Sequence, residues 1–188
     1  MFHTTSEADT TNHKHKTDMA NTTLLLVRHG ETVDNRNQIM QGQTPGQLTA
    51  HGRQQAEEVA QRLANTPIDA FVASDLRRAI DTCTIIAQPH GATVVTTPLL
   101  RERDWGSFTG RFIPSLKDEP WADDIETVES MKARGAEFLD FIRRHYSGQT
   151  VLAVGHGIIN KAIQSVFYDK PMNEIERMEN AEIRTLEL

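Results

Sequence analysis

Two short runs, almost wholly apolar, restrict the fold of this sequence more than any other feature. Leu24-Leu25-Leu26-Val27 stops at Arg28-His29-Gly30, and Thr150 to Val154 stops at Gly155-His156-Gly157. A half-buried strand alternates apolar and polar residues; a strand that is apolar throughout must be covered on both faces, as in a parallel sheet between helical layers. Runs of four or five residues are also too short for a buried helix. Both therefore read as central strands, each delivering a histidine beside glycine at its carboxyl end.

The remainder of the chain supports that frame. Thr49 precedes a segment, His51 to Asn65, in which Ala56, Val59, Ala60 and Leu63 recur at helical spacing until Pro67 closes it. Ile68 to Ala73 reads as a strand, and Asp75 to Gln88 as a helix with Leu76, Ala79, Ile80, Cys83 and Ile86 on one stripe. Ala92 to Thr96 is a third strand, and Val128 to Tyr146 a long helix. After the Thr150 to Val154 strand come a helix from Ile158 to about Phe167 and a terminal strand near Glu182 to Leu186. Alternating strands and helices predict an α/β fold: a three-layer sandwich with a largely parallel central sheet and helices on both faces. One domain over 22–188 is expected. Residues 1 to 21, polar and nearly free of large apolar side chains, are expected to form a disordered extension.

Composition removes several classes of function. No apolar run approaches the ~20 residues of a membrane span. A formal net charge of -6 argues against a general nucleic-acid binder, so any anion must be captured by a local basic pocket. The single cysteine, Cys83, precludes an internal disulfide framework and reads as core packing. With no apolar core of the signal-peptide type in the first residues, a reducing cytoplasm is the expected location. No metal site is expected: His3, His13 and His15 lack a carboxylate or cysteine to complete one, and neither His29 nor His156 has HxxxH or CxxC spacing nearby. No Gly-Lys-Ser or Gly-Lys-Thr marks a P-loop, and no cofactor is implied.

In open α/β sheets ligands bind beyond the carboxyl ends of the strands. Arg28-His29-Gly30 and Gly155-His156-Gly157 should therefore face one another there, each pairing an imidazole with glycines that let backbone N–H groups approach an anion. Either tripeptide alone is a weak signal. Together with RHGETVDN, SDLRRA, LLRERDWGSFTG and VGHG, in that order and spacing, they carry a resemblance. The chain resembles the histidine phosphatase superfamily, also called phosphoglycerate mutase-like, from Leu24 to Leu188.

That resemblance implies a nucleophilic histidine, here His29, with Arg28, Asn35, Gln41, Arg78, His156 and Gly157 around the phosphate and Glu102 as the general acid and base. The chemistry agrees with it, because phosphoryl transfer spreads negative charge over equatorial oxygens that cationic forks can hold. Arg28 and Arg78 suit bidentate contacts, and a protonated His156 would add a third positive donor. Neutral His29 would attack through one nitrogen while a carbonyl holds its other N–H. Glu102 must carry the proton for the leaving alkoxide, with Trp105 and the bound dianion favouring its protonated form. Arg77 reads as a surface or ion-paired residue, while Arg103 and Glu31 stay undecided.

The expected function is hydrolysis of a small phosphorylated metabolite, a phosphomonoesterase passing through phosphohistidine. A cofactor-dependent phosphoglycerate mutase and a non-catalytic phospho-ligand binder are the alternatives. Mutases of the family look longer and carry HGNS-like residues where this chain has His156-Gly157-Ile158-Ile159. The stretch from Arg111 to Glu126 is short, which favours hydrolysis. That segment brings Phe112 and Trp121 near Trp105 and Phe108, with Asp118, Glu119, Asp123 and Asp124 interspersed, so an apolar, acid-rimmed entrance is expected. Phosphoglycerate, a sugar phosphate, a nucleoside-type phosphate and a phosphohistidine protein all remain open as substrates, and so does the oligomeric state.

Overall fold

The computed structural model describes residues 21–188. The extension expected over 1 to 21, with His3, His13 and His15, lies outside the described residues except for Asn21. Five strands, β1 (Thr23–Arg28), β2 (Ala70–Ser74), β3 (Val94–Thr97), β4 (Thr150–Gly155) and β5 (Ile183–Glu187), form one sheet in the order β3-β2-β4-β1-β5. All neighbours run parallel except β1 and β5.

Helices α2 (Ala50–Leu63) and α3 (Arg77–Ala87) cover one face; α4 (Val128–His145) and α5 (Gly157–Phe167) cover the other. Side-chain alternation assigns each strand residue to a layer. Leu24, Leu26, Val151 and Ala153 pack with Met131, Phe138 and Ile159, while Leu25, Val27, Leu152 and Val154 pack with Val59, Cys83 and Ile86. Both layers are apolar, which is why the two central runs contain no alternation. Cys83 is fully buried among them, and that burial pushes its thiol pKa far up. Among the described residues no helix is long and apolar enough to cross a membrane.

The differences from the expected boundaries have local causes. The helix expected to begin at Asp75 begins at Arg77, because Asp75 is instead drawn into a bidentate pair with Arg101. The α5 helix starts one residue early, at Gly157, with His156 as its extended N-cap. A short helix, α1 (Val33–Arg36), was not expected: a capping box between Thr32 and Asn35 closes it, and four residues offer no periodicity to read.

The β1–β4 pairing builds the functional edge. Arg28 and Gly155 are register partners, and the His29 N–H donates to the Gly155 carbonyl at 3.1 Å. Both histidines thus leave the sheet side by side, with ring centroids 5.0 Å apart. Gly30 is required there: a Cβ on it would run into the Gly52 carbonyl, and one on Gly52 would run into Glu31. The loop after β1 and the start of α2 can therefore approach only as two glycines.

Candidate active site

A cavity of about 240 Å³ opens at this edge, and Arg28, His29, Asn35, Gln41, Arg78, Glu102 and Gly157 all line it. Seven of the eight residues expected at the site thus share one wall. His156, the eighth, is fully buried and lies behind that wall against His29 and Arg78.

The two imidazoles are organised by one guanidinium. Arg78 Nε points to His29 Nε2 at 3.3 Å and to His156 Nδ1 at 3.1 Å, so both ring nitrogens act as acceptors. The Nδ1 of His29 lies 2.7 Å from the Gly30 carbonyl. A proton belongs on that nitrogen, since a carbonyl can only accept, and the lone pair is left on Nε2 facing the cavity. Burial, then the charges of Arg78 and Arg28, hold the His29 pKa well below its ordinary value. His156 is displaced the same way, by burial first and Arg78 second. The expectation of a protonated His156 is therefore corrected: its Nδ1 accepts from Arg78, which leaves it a neutral imidazole with Nε2 buried and unpartnered.

The expectation for Arg78 also changes. Burial lowers its pKa to about 10, which leaves it cationic at neutral pH. Its Nη2 donates to the Gly42 carbonyl at 2.7 Å and its Nη1 to the Thr44 carbonyl. It ties the Gly42–Pro45 loop to the histidines, and most of its N–H groups are engaged. Arg28 is freer. One Nη donates to the Met178 carbonyl at 2.7 Å, while its Nε is buried without a partner.

Glu102 sits at the N-terminus of α5. Its carboxylate accepts from the backbone N–H groups of Ile158 at 3.1 Å, Ile159 at 3.3 Å and Arg103 at 2.9 Å. These bonds fix its position through the orphan donors of a helix start. Trp105, expected to shield the acid, lines the same cavity and packs on Trp121, with the Arg103 guanidinium over both rings. Arg103 is thereby held over the two indoles, with its Nε donating to the Glu126 carbonyl at 2.6 Å. Arg77 is exposed and pairs with Asp81, and Glu31 pairs with Arg36 and Thr49.

Several supporting residues gave no readable signal in the sequence. Arg134 on α4 pairs with Glu126 and donates to the carbonyls of Leu99 and Arg101, stapling the loop that carries Glu102. Thr82 accepts the Gly30 N–H, and Asn180 donates to the His29 carbonyl at 2.9 Å. Arg177 lines the cavity itself. A second cavity of about 240 Å³ adjoins the first across Met40, Trp105 and Ile113, with Phe108, Leu116 and Trp121 inside it. This is the expected apolar entrance. Of the acids expected at its rim, Asp118, Glu119, Asp123 and Asp124, only Glu119 lines it, and that carboxylate is paired with Arg111.

The buried neutral histidines set a pH dependence of stability. In the unfolded chain each takes up a proton as pH falls through about 6.5, whereas the fold refuses it until lower pH. Stability is therefore complete above that value and declines below it, by up to ~1.4 kcal/mol per pH unit for each histidine. Urea melts in phosphate-free buffer should show falling stability from pH 7 to 5, with a shallower slope for a His156→Gln variant. An unchanged slope in that variant would mean that His156 is protonated in the fold.

The comparisons with known proteins agree with this geometry. Over 162 residues, 79% of this chain and 75% of the relative, the sequence is 35% identical to a protein of Enterobacter sp. (strain 638) named probable phosphoglycerate mutase GpmB. The fold matches a mycobacterial glucosyl-3-phosphoglycerate phosphatase with a TM-score of 0.80 and 27% identity, over 87% of this chain and 91% of that one. It also matches a phosphoserine phosphatase of Entamoeba histolytica, solved with phosphoserine, with a TM-score of 0.79 and 26% identity over 87% and 89% of the chains. The sequence model of the histidine phosphatase superfamily (branch 1) matches residues 24–188, and the chain belongs to that superfamily.

Proposed function

We propose that the protein is a phosphomonoesterase that transfers the phosphoryl group of a small phosphorylated metabolite to His29 and then to water. The observation that carries this reading is the state of His29: its Nδ1 is tied to the Gly30 carbonyl, its Nε2 faces the cavity, and its environment keeps it neutral. A neutral imidazole held in one tautomer between two arginines is a nucleophile waiting for an anion.

The steps follow from the residues. The phosphate dianion enters beside the unpartnered Nε of Arg28 and draws Arg78 away from His29 Nε2, freeing the lone pair. The histidine nitrogen attacks phosphorus, the P–O ester bond breaks, and the leaving oxygen takes the proton that Glu102 carries at the start of the cycle. Water then attacks phosphohistidine and gives a proton back to Glu102, releasing inorganic phosphate and neutral His29. Arg28 and Arg78 balance the charge throughout, and Asn35 and Gln41 offer amide N–H groups from the cavity wall. His156, its Nδ1 already accepting from Arg78, keeps that arginine oriented and has a free Nε2–H to offer the phosphoryl group once the side chains rearrange.

Neighbours named as phosphatases of glucosyl-3-phosphoglycerate and phosphoserine favour hydrolysis. A phosphoglycerate mutase is the second reading, favoured by the names of sequence relatives. The two share phosphohistidine and separate on one measurement, because only the mutase requires a bisphosphoglycerate primer. The decisive experiment is a phosphate-release screen over phosphorylated metabolites, coupled to mass-spectrometric mapping of an acid-labile phosphate on His29 after rapid quench. Label on another residue would remove the mechanism. Turnover should also survive EDTA, since the arginines supply the charge that a metal would bring. Loss on chelation that zinc or magnesium reverses would overturn this part of the scheme.

A further inference from the structure

The proposed reaction uses Arg28, Arg78 and Glu102 and leaves one charged wall residue without a task. Arg177 lines the cavity as a solvent-exposed residue. Glu176 precedes it and Glu179 and Glu182 follow, yet Glu182 pairs with Arg184 and receives the Glu179 N–H, while Arg177 forms no ion pair or side-chain hydrogen bond among the described residues. It stands instead beside Arg28 and Glu102. A Cβ placed on Gly157 would lie 3.8 Å from Arg177 Nε and 3.7 Å from both Arg28 Nε and Glu102 Oε2, so the three side chains converge on one point of the wall. Next to burial, the charge of Arg177 is the main influence lowering the Arg28 pKa.

Its backbone is held firmly. The Met178 carbonyl receives the Arg28 guanidinium at 2.7 Å, and the Ala181 N–H donates to the Arg28 carbonyl at 2.9 Å. Asn180 grips the His29 carbonyl from the same loop. Arg177 is thus one residue away from a bond to the phosphate-binding arginine, and an unpaired cation is kept at the pocket where it repels its neighbours. Such an arrangement gains stability when an anion arrives. The phosphoryl group has Arg28 and Arg78 at its own end. Arg177, close to Glu102, is on the side where the leaving oxygen must meet its proton.

We propose that Arg177 pairs with a carboxylate of the leaving group, so that this pocket selects phosphate monoesters of small hydroxy acids in which the acid lies a few bonds from the ester oxygen. The proposal rests on the phosphatase reading and sharpens it to a substrate class.

Matched substrates test it. Glycerol 3-phosphate and 3-phosphoglycerate are both primary alkyl phosphates and differ in a hydroxymethyl group against a carboxylate. Phosphoethanolamine and phosphoserine differ by the carboxylate alone. The protein should favour the acid of each pair in kcat/KM, and Arg177→Leu should cut kcat/KM for the acid by roughly tenfold more than for its partner, the scale of a lost charge-assisted hydrogen bond. Arg177→Lys should keep part of the preference, since it retains the charge without the fork. Equal losses on both members of a pair would make Arg177 a phosphoryl contact, and absence of any preference in the unaltered protein would equally overturn the proposal. If nothing is hydrolysed, the phosphatase reading falls by itself. Calorimetric affinities of 3-phosphoglycerate and glycerol 3-phosphate for the unaltered and Arg177→Leu proteins then decide the carboxylate contact. No preference for the acid, or a preference that Arg177→Leu leaves intact, rejects it.

Discussion

Replacing His29 with alanine is expected to reduce turnover by about 10⁴-fold or more, since no other imidazole among the described residues lines the cavity. The other imidazole is no substitute: His156 does not reach the cavity wall, and its Nδ1 is already an acceptor for Arg78. The fold should survive. His29 is buried, but it packs at the sheet edge against polar groups, and its loss also removes an imidazole held neutral at the expense of burial and two nearby charges. A chain of this size changes its melting temperature by about 2–4 °C per kcal/mol, so a shift of several degrees at most is expected. Phosphate release measured beside a thermal melt checks both statements. Substantial activity in a folded His29→Ala protein would dismiss it as the nucleophile.

The second large effect concerns Glu102 and depends on the leaving group. An alkyl phosphate expels an alkoxide that needs a proton, whereas p-nitrophenolate departs without help. Because kcat/KM reports the steps up to loss of the leaving group, it isolates this transfer from the later attack of water. Glu102→Gln should lower kcat/KM for an alkyl phosphate by roughly 10²-fold or more and for p-nitrophenyl phosphate much less. Glutamine keeps an oxygen that can accept the Ile158 and Ile159 N–H groups, so the start of α5 should be undisturbed. In kcat both substrates can suffer alike if hydrolysis of phosphohistidine becomes limiting. Equal losses in kcat/KM would make Glu102 a support for α5, and the acid would have to be sought elsewhere.

How much of this was readable in the sequence depended on how local each signal was. The central strands and the convergence of His29 and His156 were legible because an apolar run that halts at Gly and His needs only its neighbours to be interpreted. Glu102, Arg78, Asn35 and Gln41 became legible through ordered motifs, and all four line the cavity. What stayed hidden depends on distant partners. The charge state of His156 follows from full burial beside Arg78, and neither is written near residue 156. The antiparallel direction of β5 is set by pairing with β1, a contact across most of the chain. Arg177 and Asn180 have no periodic or motif context; they reach the site only because the Arg28 side chain and the His29 carbonyl hold their loop.

That loop has a consequence for how the protein is made. His29 emerges early in synthesis, but the carbonyl that seats Arg28 belongs to a residue 150 positions later, and the amide that grips His29 follows it. Closing so long a loop is the slow kind of contact in folding, because its entropy is lost before the contact is gained. The β1–β4 ribbon can assemble with its histidines exposed at the edge, but a formed anion pocket waits for residues 178–187. A partly synthesised chain therefore carries every recognisable motif while lacking the pocket they serve, and catalytic competence marks the last stage of folding rather than the first.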